Sequence, residues 1–215
     1  MARATAHRRS RKIGRPSAED AAKLDDALLD TASEMFLIEG YARTTMDKIA
    51  KAARASTKTM YARYSNKAEV LAAVIKRLVD RTLDGDEFNA MEGDTSDVRN
   101  FLCKLGLRFA KLASARQTVG INRLVIAEGA QSPELVTADS QGPERARTTV
   151  RAALEHLQAQ GQLLGISSPD AAATIFYDMT TSTPRMRALL GESMSASRMS
   201  EHVSAAVDIF LEGVD

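Results

Sequence analysis

The chain has no tryptophan, a single cysteine and only 5% aromatic residues among its 215. A lone thiol, Cys103, cannot close an internal disulfide, which fits a reducing compartment, and in an apolar helical stretch it reads as inert packing. Glycine (12) and proline (5) are few, and no segment alternates apolar and polar residues for long. That excludes a strand-rich fold and leaves an all-α one. No apolar run approaches about 18 residues, and the basic first residues lead into no apolar core, so a cytoplasmic protein with no membrane partner is expected. Also missing are a glycine-rich phosphate loop, a nucleophile motif and a metal triad, and His156 and His202 stand without a ligand at useful spacing. An enzyme, a metal site and a bound cofactor are therefore not expected.

What is present is 44% hydrophobic residues, enough for a sizeable core in one domain or two, and a charge asymmetry hidden by the net +1. Residues 1–85 hold 17 Lys or Arg against 11 Asp or Glu, a balance of +6, and residues 86–215 hold 12 against 17, a balance of −5. One end alone is suited to a polyanion. Residues 1–16 carry Arg3, Arg8, Arg9, Arg11, Lys12 and Arg15 with almost nothing apolar, and read as a flexible basic arm. Such an arm can track phosphates or enter a narrow minor groove; a solvated terminus has the same composition.

Residues 17–40 follow as an apolar-striped helix, with Ser17 as cap, Leu24, Leu28, Ala32, Met35 and Phe36 on one face, and Gly40 as its stop. Residues 44–67, TTMDKIAKAARASTKTMYARYSNK, read as two short helices joined by a tight turn. Thr44 with Asp47 has capping-box spacing, and Met46, Ile49, Ala50 and Ala53 share a face. Ser56 can cap the second helix, whose Met60 and Tyr64 point inward while Thr57, Lys58, Thr59, Tyr61 and Arg63 lie elsewhere on its surface. Hydroxyls, an ammonium and a phenol on one short helix can bond phosphates and reach base edges in a major groove. A helical hairpin with a solvated face is the other reading of these residues. Asn66 with Glu69 then opens a helix over 67–84 that ends at the DGDE of 84–87.

Residues 28–75 resemble the DNA-binding domain of the TetR family of bacterial transcriptional regulators. The resemblance rests on Phe36, Gly40, Tyr41, Thr44, Thr45, Ile49, Ala50, Ser56, Tyr61, Tyr64 and Lys67. It implies double-stranded DNA as partner. Thr44 and Thr45 would meet phosphates, Tyr61 and Lys67 would hold the backbone, and Thr57, Lys58 and Thr59 would face base edges, with Ser56 in the same DNA-facing stretch. The chain departs from the family in the turn, where Arg54 replaces the usual glycine. If that position needs positive φ, a side chain there costs roughly 1 kcal/mol. Arg54 then either adds a cation near the phosphates or is solvated and silent.

Beyond residue 85 the periodicity predicts helices over 97–113 and 116–128, and the SPEL of 132–135 starts a short helical piece. A break at Gly142-Pro143 is expected, then helices over 144–160, from Pro169 until Pro184 interrupts or kinks it, and over 196–211. The segments RLVIAEGAQSPELVTADSQGPERARTTV, SSPDAAATIFYDM and ALLG are similar to the C-terminal domain of AefR-like TetR regulators. The expected organisation is a basic arm (1–16), a helix-turn-helix domain (17–66), a connecting helix (67–84) and a regulatory and dimerisation domain (85–215). By resemblance the last two long helices pair with a second copy in a homodimer, and the middle helices enclose an unidentified small-molecule effector. Candidate walls are Phe101, Leu105, Phe109, Leu124, Phe176 and Met179, with Arg108, Arg123, Tyr177 or Asp178 as polar anchors. The expected function is a regulator, a repressor in preference to an activator, that binds a pseudo-palindromic operator and is released by its effector. An effector-independent or architectural DNA-binding protein is the alternative.

Overall fold

The computed structural model describes residues 18–83 and 97–214, which form nine α-helices with no strand among them. They are α1 (Ala18–Glu39), α2 (Met46–Ala52), α3 (Thr57–Tyr61), α4 (Lys67–Leu83), α5 (Val98–Ser114), α6 (Arg116–Glu128), α7 (Pro133–Ala159), α8 (Pro169–Leu189) and α9 (Ala196–Glu212). The expected arm, with Arg11, Lys12 and Arg15, and the Ser17 cap lie outside the described residues. No helix among the described residues is long and apolar enough to cross a membrane.

Local chemistry sets most of the helix starts. Ser56 accepts from the Thr59 amide (3.0 Å) at the head of α3, and Asp97 from that of Asn100 (2.9 Å) at the head of α5. Ser168 and Ser195 do the same for α8 and α9. At the head of α4, Asn66 accepts from the Glu69 amide (2.9 Å) while the Glu69 carboxylate accepts from the Ser65 amide (2.7 Å), a reciprocal pair that satisfies two orphan donors.

Two expected breaks are corrected. Residues 132–135 start not a short piece but α7, which runs unbroken through Gly142 and Pro143. Pro143 removes one helical hydrogen bond and crowds the carbonyl four residues back, at a cost of about 3 kcal/mol. Burial on both flanks outweighs it: Leu135 and Ala138 are held on one side, and Val150, Leu154 and Leu157 on the other. Each fully buried large side chain contributes roughly 1.5–3 kcal/mol. Gly142 serves close approach instead of a turn, because a Cβ there would stand 2.9 Å from Ile75 Cγ2 of α4. Pro184 likewise sits buried inside α8, which continues to Leu189. Arg123 of α6 donates to the carbonyls of Ala188 (3.1 Å) and Leu189 (2.9 Å), so the end of α8 is held from outside.

The buried residues form two clusters. One takes Leu28, Ala32 and Phe36 of α1, Ile49 and Ala50 of α2, Met60 of α3 and Val70, Leu71 and Val74 of α4, and is completed by Ile121, Leu124, Leu135 and Ala138. The other is built from α5, α7, α8 and α9, with Phe109, Phe176, Leu154 and Val203 at its centre. Packing therefore does not divide at residue 66 or 84: the helix-turn-helix closes its core with α6 and α7.

Candidate nucleic-acid interface and effector cleft

On α3, Thr57, Lys58 and Tyr61 are exposed, Tyr61 by 51%, while Met60 is fully buried beneath them. An apolar phenol edge left half in water beside an ammonium and a hydroxyl is an arrangement suited to a phosphate backbone. Thr59 is less free, since its hydroxyl is 2.7 Å from that of Ser56, whose oxygen also caps the helix. The helix is a single turn and is aimed by its neighbours. Arg63 donates to Asp25 Oδ1 (3.1 Å) and to the Ala21 carbonyl (3.1 Å), and the Tyr64 hydroxyl donates to Asp25 Oδ1 (3.0 Å). Burial, then that hydrogen bond, push the Tyr64 phenol well above its ordinary range.

The turn before α3 carries the one positive-φ residue other than glycine among the described residues, Arg54 at φ 56°. The Ala55 amide donates to the Ala50 carbonyl (2.8 Å) and the Arg54 amide to that of Lys51 (3.2 Å), the paired bonds of a Schellman cap. Gly161 after α7 and Gly191 after α8 close with the same pair of bonds at φ 76° and 88°. Arg54 thus occupies a place that glycine fills elsewhere in the chain, with its side chain exposed.

The expected role of Thr44 is corrected. It is 0% exposed, and its hydroxyl donates inward to the Gly40 carbonyl (2.8 Å) and lies 3.3 Å from that of Met35. The cap of α2 is Thr45, exposed, accepting from the Lys48 amide (3.3 Å). The hydroxyl of Thr44 braces the turn after α1, and that of Thr45 is the one on the surface. Lys67 is also turned inward: its ammonium donates to the Tyr41 carbonyl and sits 4.0 Å above the Tyr41 ring centre. Burial pulls the Lys67 ammonium below its usual range, against the nearby charges of Glu128 and Glu134, and burial with the same two carboxylates pushes Tyr41 up to about 12.

Between α4, α5, α6, α7 and α8 lies a narrow cleft of about 60 Å³, walled by Ile75, Leu78, Val79, Leu112, Ile121 and Ala146. Its polar groups are Thr118, Asn122, Asp139, Tyr177 and Arg185. Asn122 Nδ2 donates to Asp139 Oδ1 (3.1 Å), and burial pushes the Asp139 carboxyl up against the opposing pull of that hydrogen bond and of Arg185. The Thr118 hydroxyl is buried with no hydrogen-bond partner among the described residues. Of the expected lining residues, Tyr177 alone faces this cleft. Phe101, Leu105, Phe109 and Phe176 are closed into the second core, where Phe109 meets Tyr177 edge-on at 5.7 Å, and Arg108 does not line the cleft. Leu124 and Arg123 line an outer groove beside α1, and Met179 lines a groove between α8 and α9.

Helix α6 joins the cleft to the helix-turn-helix unit. Its Thr118, Ile121 and Asn122 line the cleft, while Gln117 Nε2 donates to the Ser33 hydroxyl of α1. Gly120 admits Leu37 so closely that a Cβ would lie 2.5 Å from Leu37 Cδ2. At its C-terminus the Glu128 carboxylate accepts from the backbone amides of Tyr41 (3.2 Å) and Ala42 (2.9 Å). Helix α4 is the second connection, with Ile75, Leu78 and Val79 in the cleft and Lys67 against Tyr41. Glu128, Asp139, Asn122 and Thr118 escape sequence reasoning. One signal was there: Asp139 lies on the buried stripe Leu135, Ala138, Gly142, Ala146, a carboxylate at an apolar position, and the expected break at Gly142-Pro143 hid it.

Comparison with known proteins bears on both units. Residues 28–74 match the family described as bacterial regulatory proteins, tetR family, and residues 100–213 match the C-terminal domain of AefR-like transcriptional repressors. The HTH-type transcriptional repressor ComR of Escherichia coli (strain K12) is 37% identical over 68 residues, covering 32% of this chain and 30% of that protein. A TetR-family transcriptional regulator from Mesorhizobium loti MAFF303099 superposes with a TM-score of 0.71 at 24% identity, over 89% of this chain and 96% of that one. A TetR transcriptional regulator from Agrobacterium tumefaciens gives 0.70 at 22% identity, over 88% and 93%. The last two likenesses establish the fold; the family matches, which together take in most of the described helices, establish kinship. This chain belongs to the TetR family of bacterial transcriptional regulators, with a C-terminal domain of the AefR-like kind.

Proposed function

We propose that the protein is a homodimeric repressor that reads a pseudo-palindromic operator through α3 and is released when a small molecule occupies the cleft between α4 and α8. The observation that carries this reading is α6, which lines the cleft with one face and grips α1 and the α1–α2 turn with another. A cleft of about 60 Å³ is far below the roughly 300–1,000 Å³ of common ligand sites, so an effector of ordinary size must widen it. Widening moves α6 or α4, and with them the elements that aim α3. Release then follows as a population shift, with operator and effector each weakening the other by the same factor. Thr45, Thr57, Lys58 and Tyr61 are the surface side chains best placed for DNA, with Arg54 at the turn. A second copy is supported by the groove along α8 and α9, where Ile175 is 53% and Ile209 61% exposed beside Ala171. Two-fold symmetry would present two copies of α3 to half-sites one helical turn apart.

The test is selection of bound duplexes from a random DNA pool, with a Lys58→Ala, Tyr61→Ala double variant beside the wild type. A two-fold symmetric motif recovered by the wild type alone is expected. Recovery of no motif, with binding that only fades as salt rises, would reduce the activity to a nonspecific cationic grip and sink the proposal.

A further inference from the structure

We propose that the effector cleft takes a compact apolar molecule bearing a hydrogen-bond donor, a hydroxyl or an amine, directed at Asp139, Asn122 and Thr118, and that it disfavours carboxylate-headed chains. The inference rests on the effector reading above and specifies its chemistry. Most of the wall is aliphatic, which sets the body of the ligand. The polar end is the informative part. Asp139 makes no ion-pair contact among the described residues: Asn122 bonds one of its oxygens at 3.1 Å, and Arg185, which also lines the cleft, attracts it only from beyond ion-pair distance. A partly buried carboxylate short of compensation gains most from an added donor and loses most from an added anion. The Thr118 hydroxyl, buried and unpartnered, sits on the same wall and can accept from the ligand or donate to it. A native core seldom leaves such a hydroxyl idle, because an unmet buried polar group is costly; it is explained if a ligand completes it.

The experiment uses the full chain and four probes of matched size: para-ethylphenol, benzylamine, hexanoate and toluene. Melting temperature and calorimetric affinity are measured for the wild type, Thr118→Val and Asp139→Asn. The phenol and the amine are expected to raise the melting temperature more than hexanoate or toluene. Thr118→Val is expected to melt higher than the wild type when empty and yet lose most of the phenol response, a combination that a merely damaged fold would not give. Asp139→Asn keeps the side-chain shape and is expected to weaken benzylamine roughly tenfold or more, the loss of one charge-assisted hydrogen bond. Preference for hexanoate, equal binding of toluene, no response to either donor at millimolar concentration, or donor binding indifferent to both variants would each overturn the proposal. Operator affinity measured with each probe separates the two levels. Hexanoate releasing the operator would leave the effector reading standing and remove the donor chemistry. A donor probe that binds with the expected losses but leaves operator affinity unchanged would keep this site and remove the effector reading.

Discussion

Replacing Arg54 by glycine should make the protein more stable and a poorer binder of its operator. At φ 56° a side chain crowds the following carbonyl, at a cost of about 1–2 kcal/mol relative to glycine. Glycine gives back about 0.5–1 kcal/mol through its larger freedom in the unfolded chain. The net gain is about 0.5–1 kcal/mol, or about 2 °C in melting temperature for a chain of this length. The two Schellman caps that do carry glycine, at Gly161 and Gly191, make the same hydrogen bonds, so the substitution requires no change in the turn. Arg54→Ala is the companion variant: it keeps the crowded Cβ and should leave stability near the wild-type value. If the guanidinium meets one phosphate, both variants should weaken operator binding and flatten its dependence on log salt by about one per recognition helix. Urea midpoints and operator titrations at several salt concentrations read both quantities. A lower midpoint for Arg54→Gly would refute the backbone argument, and an unchanged salt slope would show the side chain to be silent on DNA.

Thr44→Val should cost about 1 kcal/mol, through the lost donation to the Gly40 carbonyl, while leaving the salt slope of operator binding intact. A reduced slope would return Thr44 to the phosphate contacts. Glu128→Gln leaves one acceptor oxygen for the Tyr41 and Ala42 amides and should destabilise the protein by about 1–3 kcal/mol; an unchanged denaturation midpoint would show the clamp to be dispensable. For Asp139, burial holds the folded pKa above the ordinary 3.8, so the ionised carboxyl opposes folding. That penalty is absent below the unfolded value and complete once pH has risen through the folded one. Asp139→Asn should therefore be the more stable protein at neutral pH, with an advantage that fades on acidification toward 3.8. An advantage independent of pH would point to packing instead.

What the sequence made legible follows the range of the interactions involved. Helix periodicity and caps act over three or four residues, and Ser56 and Asn66 with Glu69 sit where their spacing predicts. Thr44 is expected as the cap of α2, with Thr45 beside it on the phosphates, because two adjacent hydroxyls satisfy the same local pattern, and only packing against the Gly40 and Met35 carbonyls decides that Thr44 turns inward and Thr45 caps. Pro143 and Pro184 do not end their helices, because burial at residues distant in sequence exceeds the local cost of a proline. The cleft was the least legible part. Its walls come from five helices, and the large aromatics that composition makes conspicuous, Phe101, Phe109 and Phe176, fill a core instead of facing a space. Glu128 had no signal at all, because its partners are backbone amides more than 80 residues away in the chain.

The magnitudes favour α6 as the element through which the proposed effector acts. Allosteric coupling is typically 1–3 kcal/mol, and a hydrogen bond to a charged group contributes about 1.5–3 kcal/mol. The Glu128 carboxylate holds two backbone amides of the α1–α2 turn, so loosening this single clamp supplies coupling of the full size. Lys67 is the opposing anchor, since its ammonium grips the same Tyr41 from α4 and is attracted by Glu128 and Glu134. Tyr41 is thus held from both cleft-lining helices at once. A ligand that spreads α4 from α6 pulls its two supports apart, and the turn that leads into α2 must follow one of them. Gly120 and Gly142 show how tightly the arrangement is set, each leaving no room for a methyl group against Leu37 and Ile75. A methyl at Gly142 would press on Ile75 of α4 from the cleft, as a bound ligand would, and one at Gly120 would press on Leu37 of α1 from the outer groove. Gly120→Ala and Gly142→Ala should therefore weaken operator binding with no effector present, and normal affinity in both would mean that the operator-bound state does not depend on this close packing.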